Sequence, residues 1–314
     1  MAPTTAVRPF RLAMQMTSAP SGAAWCELAR RFEGEGYDTL SLPDHLGPQF
    51  APVPALAAIA VVTERVKLSM FVLANDLRNP AVLAKEITTL DVLSGGRVEL
   101  GLGAGWNAAE YAAQSVAFDK PSVRIERLAE AVSILRRAFA GERFSHEGPH
   151  YRVVDLDVLP RPVRPGGIPF VLGGGARKML TLAAQQGDVV GIATNNSLRT
   201  AEVGGSTGLA DDVVAEQVGW VRDAAGDRFA DLELNLRVLG VAVRPTREEA
   251  IAALAPDLGD PAMLARSPFV FAGPIEAIHE QLLRYRDELG ISYYTVSQRH
   301  ADQLAPLIAR VAGT

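Results

Sequence analysis

The chain has 314 residues, 48% of them hydrophobic and 21% charged, with a formal charge of −5. That composition can bury a large core and excludes the disordered and collagen-like classes. The 31 basic residues, four of them Lys, are scattered without a basic run, which argues against nucleic acid as a partner.

Short apolar runs then alternate with longer helical ones. Residues 10–16 read as a first strand and 22–35 as a helix closed by Gly36. A second strand over 38–42 precedes a helix over 53–64, a strand over 66–73, a helix over 80–93 and a strand over 97–103. Strand starts at Phe10, Asp38, Val66 and Arg97 lie 28, 28 and 31 residues apart, the length of a βαβ unit of roughly 30 residues. The alternation continues with a helix over 121–140 and strands over 168–172, 188–193, 232–243 and 292–296. Helices are expected over 175–186, 211–225 and 274–289 and at the end of the chain. Eight strands, each followed by a helix, favour a single (β/α)8 TIM barrel over 1–314 rather than an open doubly wound sheet.

Three stretches break the rhythm. Residues 143–167 read as a hairpin and connector, because Gly148-Pro149 separates two extended runs. Residues 194–210 are polar and Gly-rich and follow a strand, so a lid over the catalytic face is expected there. Residues 255–273 read as an irregular insertion. The N-terminus lacks an apolar signal segment and no run is long enough to span a bilayer, so a cytoplasmic protein is expected. The lone Cys26 excludes an intramolecular disulfide and a Cys-cluster metal site.

Barrel enzymes build their sites from the loops after the strands. Strand 2 runs into Pro43-Asp44-His45, which puts one of the five histidines directly after a strand. Imidazole titrates near neutrality and suits proton transfer, with Asp44 orienting it or holding a ligand hydroxyl. The plainer alternative is an Asp capping a turn beside a surface His. Strand 5 ends in Gly173-Gly174-Gly175-Ala176-Arg177-Lys178 before a helix. This is a phosphate cradle of backbone amides and two cations, or else a flexible turn. It lacks the ending of a Walker loop. Strand 4 ends in Gly101-Leu102-Gly103-Ala104-Gly105-Trp106-Asn107, either a close approach of backbone to a flat cofactor or a tightly packed strand end. His146-Glu147-Gly148-Pro149-His150 matches H-E-x-x-H formally. Its Gly-Pro prevents the helix that such a zinc site needs, so no metal is expected. His279 and His300 show no partner in the sequence.

Taken together these blocks resemble the luciferase-like monooxygenase superfamily, in its coenzyme F420-dependent branch. The resemblance rests on 65–73, Leu77-Arg78-Asn79-Pro80, Leu90 to Arg97, Leu100 to Trp106, the Asp44-His45 pair, the glycine turn and Phe271-Ala272-Gly273-Pro274. It implies a bacterial-luciferase-like barrel that is a homodimer and binds F420, with FMN as the alternative. The ring would lie against Met70, Phe71, Val72, Ala74, Ala104 and Gly105, with a non-proline cis bond at Phe71-Val72. Asp44 and His45 would complete the ring site, and His45 would be catalytic. Gly173, Gly174, Gly175 and Arg177 would hold the phosphate.

Sugar-phosphate dehydrogenases of this branch carry a Glu where this chain has Trp106. Trp106 and Asn107 are therefore read as a wall of an apolar substrate pocket, and Met14 and Gln15 on strand 1 as its floor. The implied reaction is hydride transfer from the reduced deazaflavin C5 to a C=C or C=N bond of a small organic substrate. An FMN-dependent monooxygenase and a catalytically silent flavin-binding protein are the alternatives.

Overall fold

The computed structural model of the chain describes residues 8–194, 207–311 and 314. Strand β1 is Arg11–Gln15, followed by α1 (Gly22–Glu35), β2 (Thr39–Leu42) and α2 (Pro52–Ala60). Next come β3 (Lys67–Met70), β4 (Leu73–Ala74), α3 (Pro80–Ser94), β5 (Val98–Gly103), α4 (Ala108–Ala113) and α5 (Pro121–Phe139). The hairpin strands β6 (Arg143–Glu147) and β7 (Arg152–Asp157) precede β8 (Phe170–Gly174), α6 (Arg177–Gln186) and β9 (Val189–Ile192). The chain closes with α7 (Asp211–Ala225), β10 (Glu233–Arg237), β11 (Gly240–Val243), α8 (Arg247–Leu258), α9 (Pro261–Leu264), β12 (Val270–Gly273), α10 (Ile275–Leu289), β13 (Ile291–Ser297) and α11 (Ala301–Val311).

Local chemistry sets these boundaries. Helix α3 starts at Pro80, where the missing N–H costs nothing, behind Asn79, whose side chain accepts from the Ala81 and Val82 amides. It stops at Gly95, whose φ of 66° suits glycine.

Two compact units result. One comprises Gln15–Gly34 and Thr39–Leu172, here the N-terminal unit; the other comprises Met1–Met14, Glu35–Asp38 and Gly173–Thr314, the C-terminal unit. In the N-terminal unit β2, β3, β5 and β8 pair in that order, all parallel, with Thr39 opposite Lys67, Leu68 opposite Val98 and Leu100 opposite Phe170. Every residue of β2 and β5 is buried, the pattern of parallel strands covered on both faces. Leu40, Leu42, Leu68, Leu100 and Leu102 lose all solvent contact, each contributing about 2 kcal/mol. In the C-terminal unit the order is β1, β13, β10, β9, with Leu234 opposite both Ile291 and Val190.

The structure departs from expectation at four places. The strand expected over 66–73 is divided into β3 and β4, while the non-proline cis peptide bond expected at Phe71-Val72 is present between them. There Phe71 N–H turns to the Leu42 carbonyl (2.8 Å). The strand expected over 232–243 also divides. Val238 N–H still bonds Thr295 O, but Leu239 N–H bonds Phe269 O, so the chain steps from β13 across to β12, and β11 pairs with β12. The insertion expected to be irregular over 255–273 instead holds the end of α8, α9 and β12, because Pro261 starts a helix behind the capping Asp260. Finally, the six-residue α4 follows Asn107, between the strand and the helix expected over 97–103 and 121–140. Residues 143–147 and 152–157 pair antiparallel. Residues 195–206 of the expected lid lie outside the described residues. No described helix is long and apolar enough to cross a membrane.

Candidate active site

The site in the N-terminal unit grows from the ends of β2, β4 and β5. Asp44 accepts from both terminal guanidinium nitrogens of Arg78, Nη2 at 2.8 Å, and from the Ala74 N–H at 3.0 Å. It fastens the loop after β2 to the end of β4. A different carboxylate meets the imidazole. Glu110, in the first turn of α4, places Oε1 and Oε2 3.2 and 3.1 Å from His45 Nδ1, and its Oε1 also accepts from the Leu46 N–H at 3.2 Å. The Trp106 ring stands edge-on to the imidazole with centroids 5.6 Å apart and planes at 78°. Two-thirds of Trp106 is exposed. A cleft of about 330 Å³ opens beside this group, bounded by His45, Leu46, Gln49, Leu77, Glu110 and Gln114.

Helix α4 is too short to hold Glu110 by itself. Asn107 caps it through Ala109 N–H (3.2 Å), so the side chain read as a pocket wall is engaged in that cap. Tyr111 is buried, donates to the Ala104 carbonyl at 3.2 Å and packs edge-on against Phe118. Burial, reinforced by the negative charge of Asp76, pushes its phenol up to about 12, so it stays a donor at neutral pH. Arg124 donates to the carbonyls of Ala104 and Gly105. Those two residues are thus held from the helix side by Tyr111 and Arg124. Gly105 has φ +74°, and a Cβ there would meet the Tyr111 hydroxyl at 2.0 Å.

The strand-4 glycines also have a local partner. A Cβ on Gly101 would lie 1.7 Å from the Met70 carbonyl oxygen, and one on Gly103 would lie 2.7 Å from Val72 Cγ2. Of the two readings, tight packing explains them: they admit the main chain of Met70 to Val72. On β1, Met14 and Gln15 face opposite sides. Gln15 is buried, and its Nε2 donates to the Phe71 carbonyl at 3.4 Å; Met14 is fully buried.

The glycine turn belongs to the C-terminal unit. A Cβ at Gly173 would meet the Gly191 carbonyl oxygen at 2.3 Å, so this glycine serves the packing of β8 on β9. Gly174 accepts from Ala193 N–H, and Gly175 accepts from Gln217 Nε2 at 2.9 Å. The fully buried Gln217 also donates to Ala193 O at 2.9 Å and so ties the turn to the end of β9. Helix α6 then starts without a side-chain cap at Ala176, and Arg177 is exposed in its first turn.

Sequence reasoning missed Glu110, Arg78 and Gln217 as partners. Only Glu110 left a local trace: Asn107-Ala-Ala-Glu110 has the spacing of a helix capping box. His146, from the rejected zinc motif, bonds Glu130 at 2.8 Å.

A family model described as luciferase-like monooxygenase matches residues 5–306. An F420-dependent glucose-6-phosphate dehydrogenase of Intrasporangium calvum is 36% identical over 168 residues, half of this chain and half of that protein. The same enzyme of Nakamurella multipartita is 29% identical over 84% of this chain and 75% of its own length. In its leading matches the chain spans about half the length of the curated relatives. The solved coenzyme F420-dependent tetrahydromethanopterin reductase of Methanopyrus kandleri superposes with a TM-score of 0.76 at 16% identity, over 97% of this chain and 98% of its own. That likeness identifies the fold class as a (β/α)8 barrel.

Proposed function

Because the chain belongs to the luciferase-like monooxygenase family, we propose that it is an oxidoreductase using the deazaflavin coenzyme F420, as the names of its dehydrogenase relatives suggest. The reaction is proposed to be reduction of a C=C or C=N bond in a small organic substrate. When bound, reduced F420 supplies the hydride; the protein supplies position, charge and the proton.

The chain's own residues fit such a group. The uncapped start of α6, with Arg177 exposed in its first turn, leaves amides and a cation for an anionic tail. Gly173, Gly174, Gly175 and Arg177 are therefore proposed as the phosphate grip. Met70, Phe71, Val72, Ala74, Ala104 and Gly105 are proposed to line the ring, with Asp44 holding Ala74 in place.

The observation that carries this reading is the His45–Glu110 pair at a cleft, with an exposed indole edge-on to the imidazole. An imidazole backed by a carboxylate holds or gives up a proton as the hydride crosses. The same pair favours a second reading, oxidation of an alcohol, because the carboxylate balances the imidazolium that forms when His45 accepts the hydroxyl proton. Trp106, standing where sugar-phosphate dehydrogenases of the resembled branch carry a Glu, favours a different substrate. The chain is further proposed to act as a homodimer.

Titration of the purified protein with F420 and with FMN tests the cofactor. The deazaflavin at a hundred times its dissociation constant is expected to add about 2.7 kcal/mol of stability. Uptake of FMN alone overturns the reading in favour of a monooxygenase. Turnover of an enone and imine panel with reduced cofactor, against an alcohol panel with oxidised cofactor, separates the two directions. Failure of both panels with cofactor bound leaves a silent binding protein.

A further inference from the structure

We propose that Glu110 is a positioning residue that fixes the tautomer of His45, leaving Nε2 as the atom that exchanges a proton with substrate. Both Glu110 oxygens lie within hydrogen-bonding distance of Nδ1, at 3.2 and 3.1 Å. An ionised carboxylate only accepts, so Nδ1 must carry the hydrogen, and in the neutral ring the lone pair then sits on Nε2. This assigns a role to each ring nitrogen.

Two further contacts make the arrangement stiff. Glu110 Oε1 accepts from the Leu46 N–H, the amide directly after His45, so carboxylate and imidazole are referred to the same stretch of main chain. Trp106 stands edge-on to the ring from the other end of the turn into α4. Glu110 itself cannot drift, because its neighbour Tyr111 is buried and bonded to Ala104 and Asn107 caps the helix start. A histidine whose second nitrogen is held by a carboxylate has its orientation and its proton inventory set before substrate arrives.

The proposal deepens the function proposed above and rests on it for the electron pair. In the reductive direction the Nε2–H bond of the imidazolium breaks and its proton bonds the substrate atom that gains charge. The two electrons arrive with the hydride from the reduced deazaflavin. The ring returns to its neutral Nδ1–H form, still bonded to Glu110. In the oxidative direction Nε2 takes the hydroxyl proton, the carbinol C–H bond breaks with its electron pair leaving as hydride to the oxidised deazaflavin that would be bound there, and the carboxylate of Glu110 balances the imidazolium charge.

Nitrogen-detected two-bond NMR correlations of ¹⁵N-labelled protein without cofactor test it, with the His45 ring assigned by its disappearance in His45→Asn. The wild-type ring is expected to show a protonated Nδ1 and a pyridine-like Nε2 once neutral. In Glu110→Ala the population is expected to move toward the Nε2–H form that free imidazole side chains prefer. Turnover by that variant should fall about 100-fold, in the range of lost acid–base assistance, with cofactor affinity unchanged. A wild-type ring in the Nε2–H form overturns the proposal, and so does a folded Glu110→Ala protein with an unaltered tautomer. Should Glu110→Ala fail to fold, the wild-type spectrum alone decides. The readout needs no cofactor, so failure of F420 to bind breaks the functional reading and leaves the tautomer assignment standing.

Discussion

The ends of β2, β4 and β5 and the turn between β8 and α6 hold their shapes by different means. The first region is built from side chains that reach across the sequence: Asp44 to Arg78 and Ala74, His45 to Glu110, Arg124 to Gly105. The second is built from main chain, three glycines and an uncapped helix start, with Gln217 as a side-chain strut. A side-chain network can place a proton within tenths of an ångström but depends on each partner. A backbone cradle presents amides whatever the neighbouring side chains are, and depends only on the absence of Cβ atoms.

Substitutions that add or remove single groups should expose that contrast. The largest effect is expected from Gly101→Ala. Its Cβ would fall 1.7 Å from the Met70 carbonyl oxygen, and main chain cannot yield as a side chain can. A loss of more than about 4 kcal/mol, an exceptional value for one substitution, is expected in urea unfolding. A normally stable Gly101→Ala protein would mean that the chain from Met70 to Val72 adopts another path.

Next comes His45→Ala, which should keep the fold and lower turnover by about 100-fold or more while cofactor affinity falls far less. Unchanged turnover in steady-state assays removes His45 from the chemistry.

Within the glycine turn, Gly173→Ala and Gly174→Ala should part company. The first meets the Gly191 main chain at 2.3 Å and the second meets only the Met179 side chain, at 2.7 Å. Gly173→Ala is expected to cost about 3 kcal/mol and Gly174→Ala under about 1.5 kcal/mol, so only Gly174→Ala gives a clean measure of anion binding. Equal losses in paired unfolding curves would show that the turn is no cradle but plain packing throughout.

The smallest effect concerns the hairpin of β6 and β7. Burial alone would raise the Glu130 carboxyl, but His146 and the Tyr151 and His150 amides outweigh it and hold the group below its ordinary value. A depressed carboxylate stabilises the fold above the unfolded value of about 4.3, and that contribution disappears as pH falls through the folded value. Amide protection over 143–157, corrected for the intrinsic pH dependence of exchange, should therefore fall below about pH 4, near the unfolded value, and Glu130→Gln should remove that loss of protection. Protection factors that stay constant with pH in both proteins would detach the hairpin from Glu130.

The repeat of strand and helix was legible because each unit buries an apolar strand and ends its helix in glycine or a cap, both local signals. What the sequence hid is of two kinds. One is punctuation: residues 255–273 read as irregular, yet Pro256 lies within the last turn of α8, Gly259 follows that helix and Pro261 starts α9, so Gly259 and Pro261 mark helix boundaries rather than an absence of structure. The other kind is long-range pairing. Glu110 lies 65 residues from His45, and Arg78 lies 34 from Asp44. No periodicity connects such partners, so Asp44 was read as the companion of the adjacent His45 when its oxygens serve Arg78 and Ala74. Glycines misled in a subtler way. Gly101, Gly103 and Gly173 were visible as places of close approach, but the approaching atoms belong to neighbouring strands.

Asp44 immediately precedes His45, and through Arg78 and the Ala74 amide its carboxylate also fixes the chain two residues beyond Val72. The histidine and the segment after β3 therefore share one anchor and move, if they move, as one body. Rebuilding loops that this anchor does not reach leaves the spacing between His45 and residues 73–74 intact.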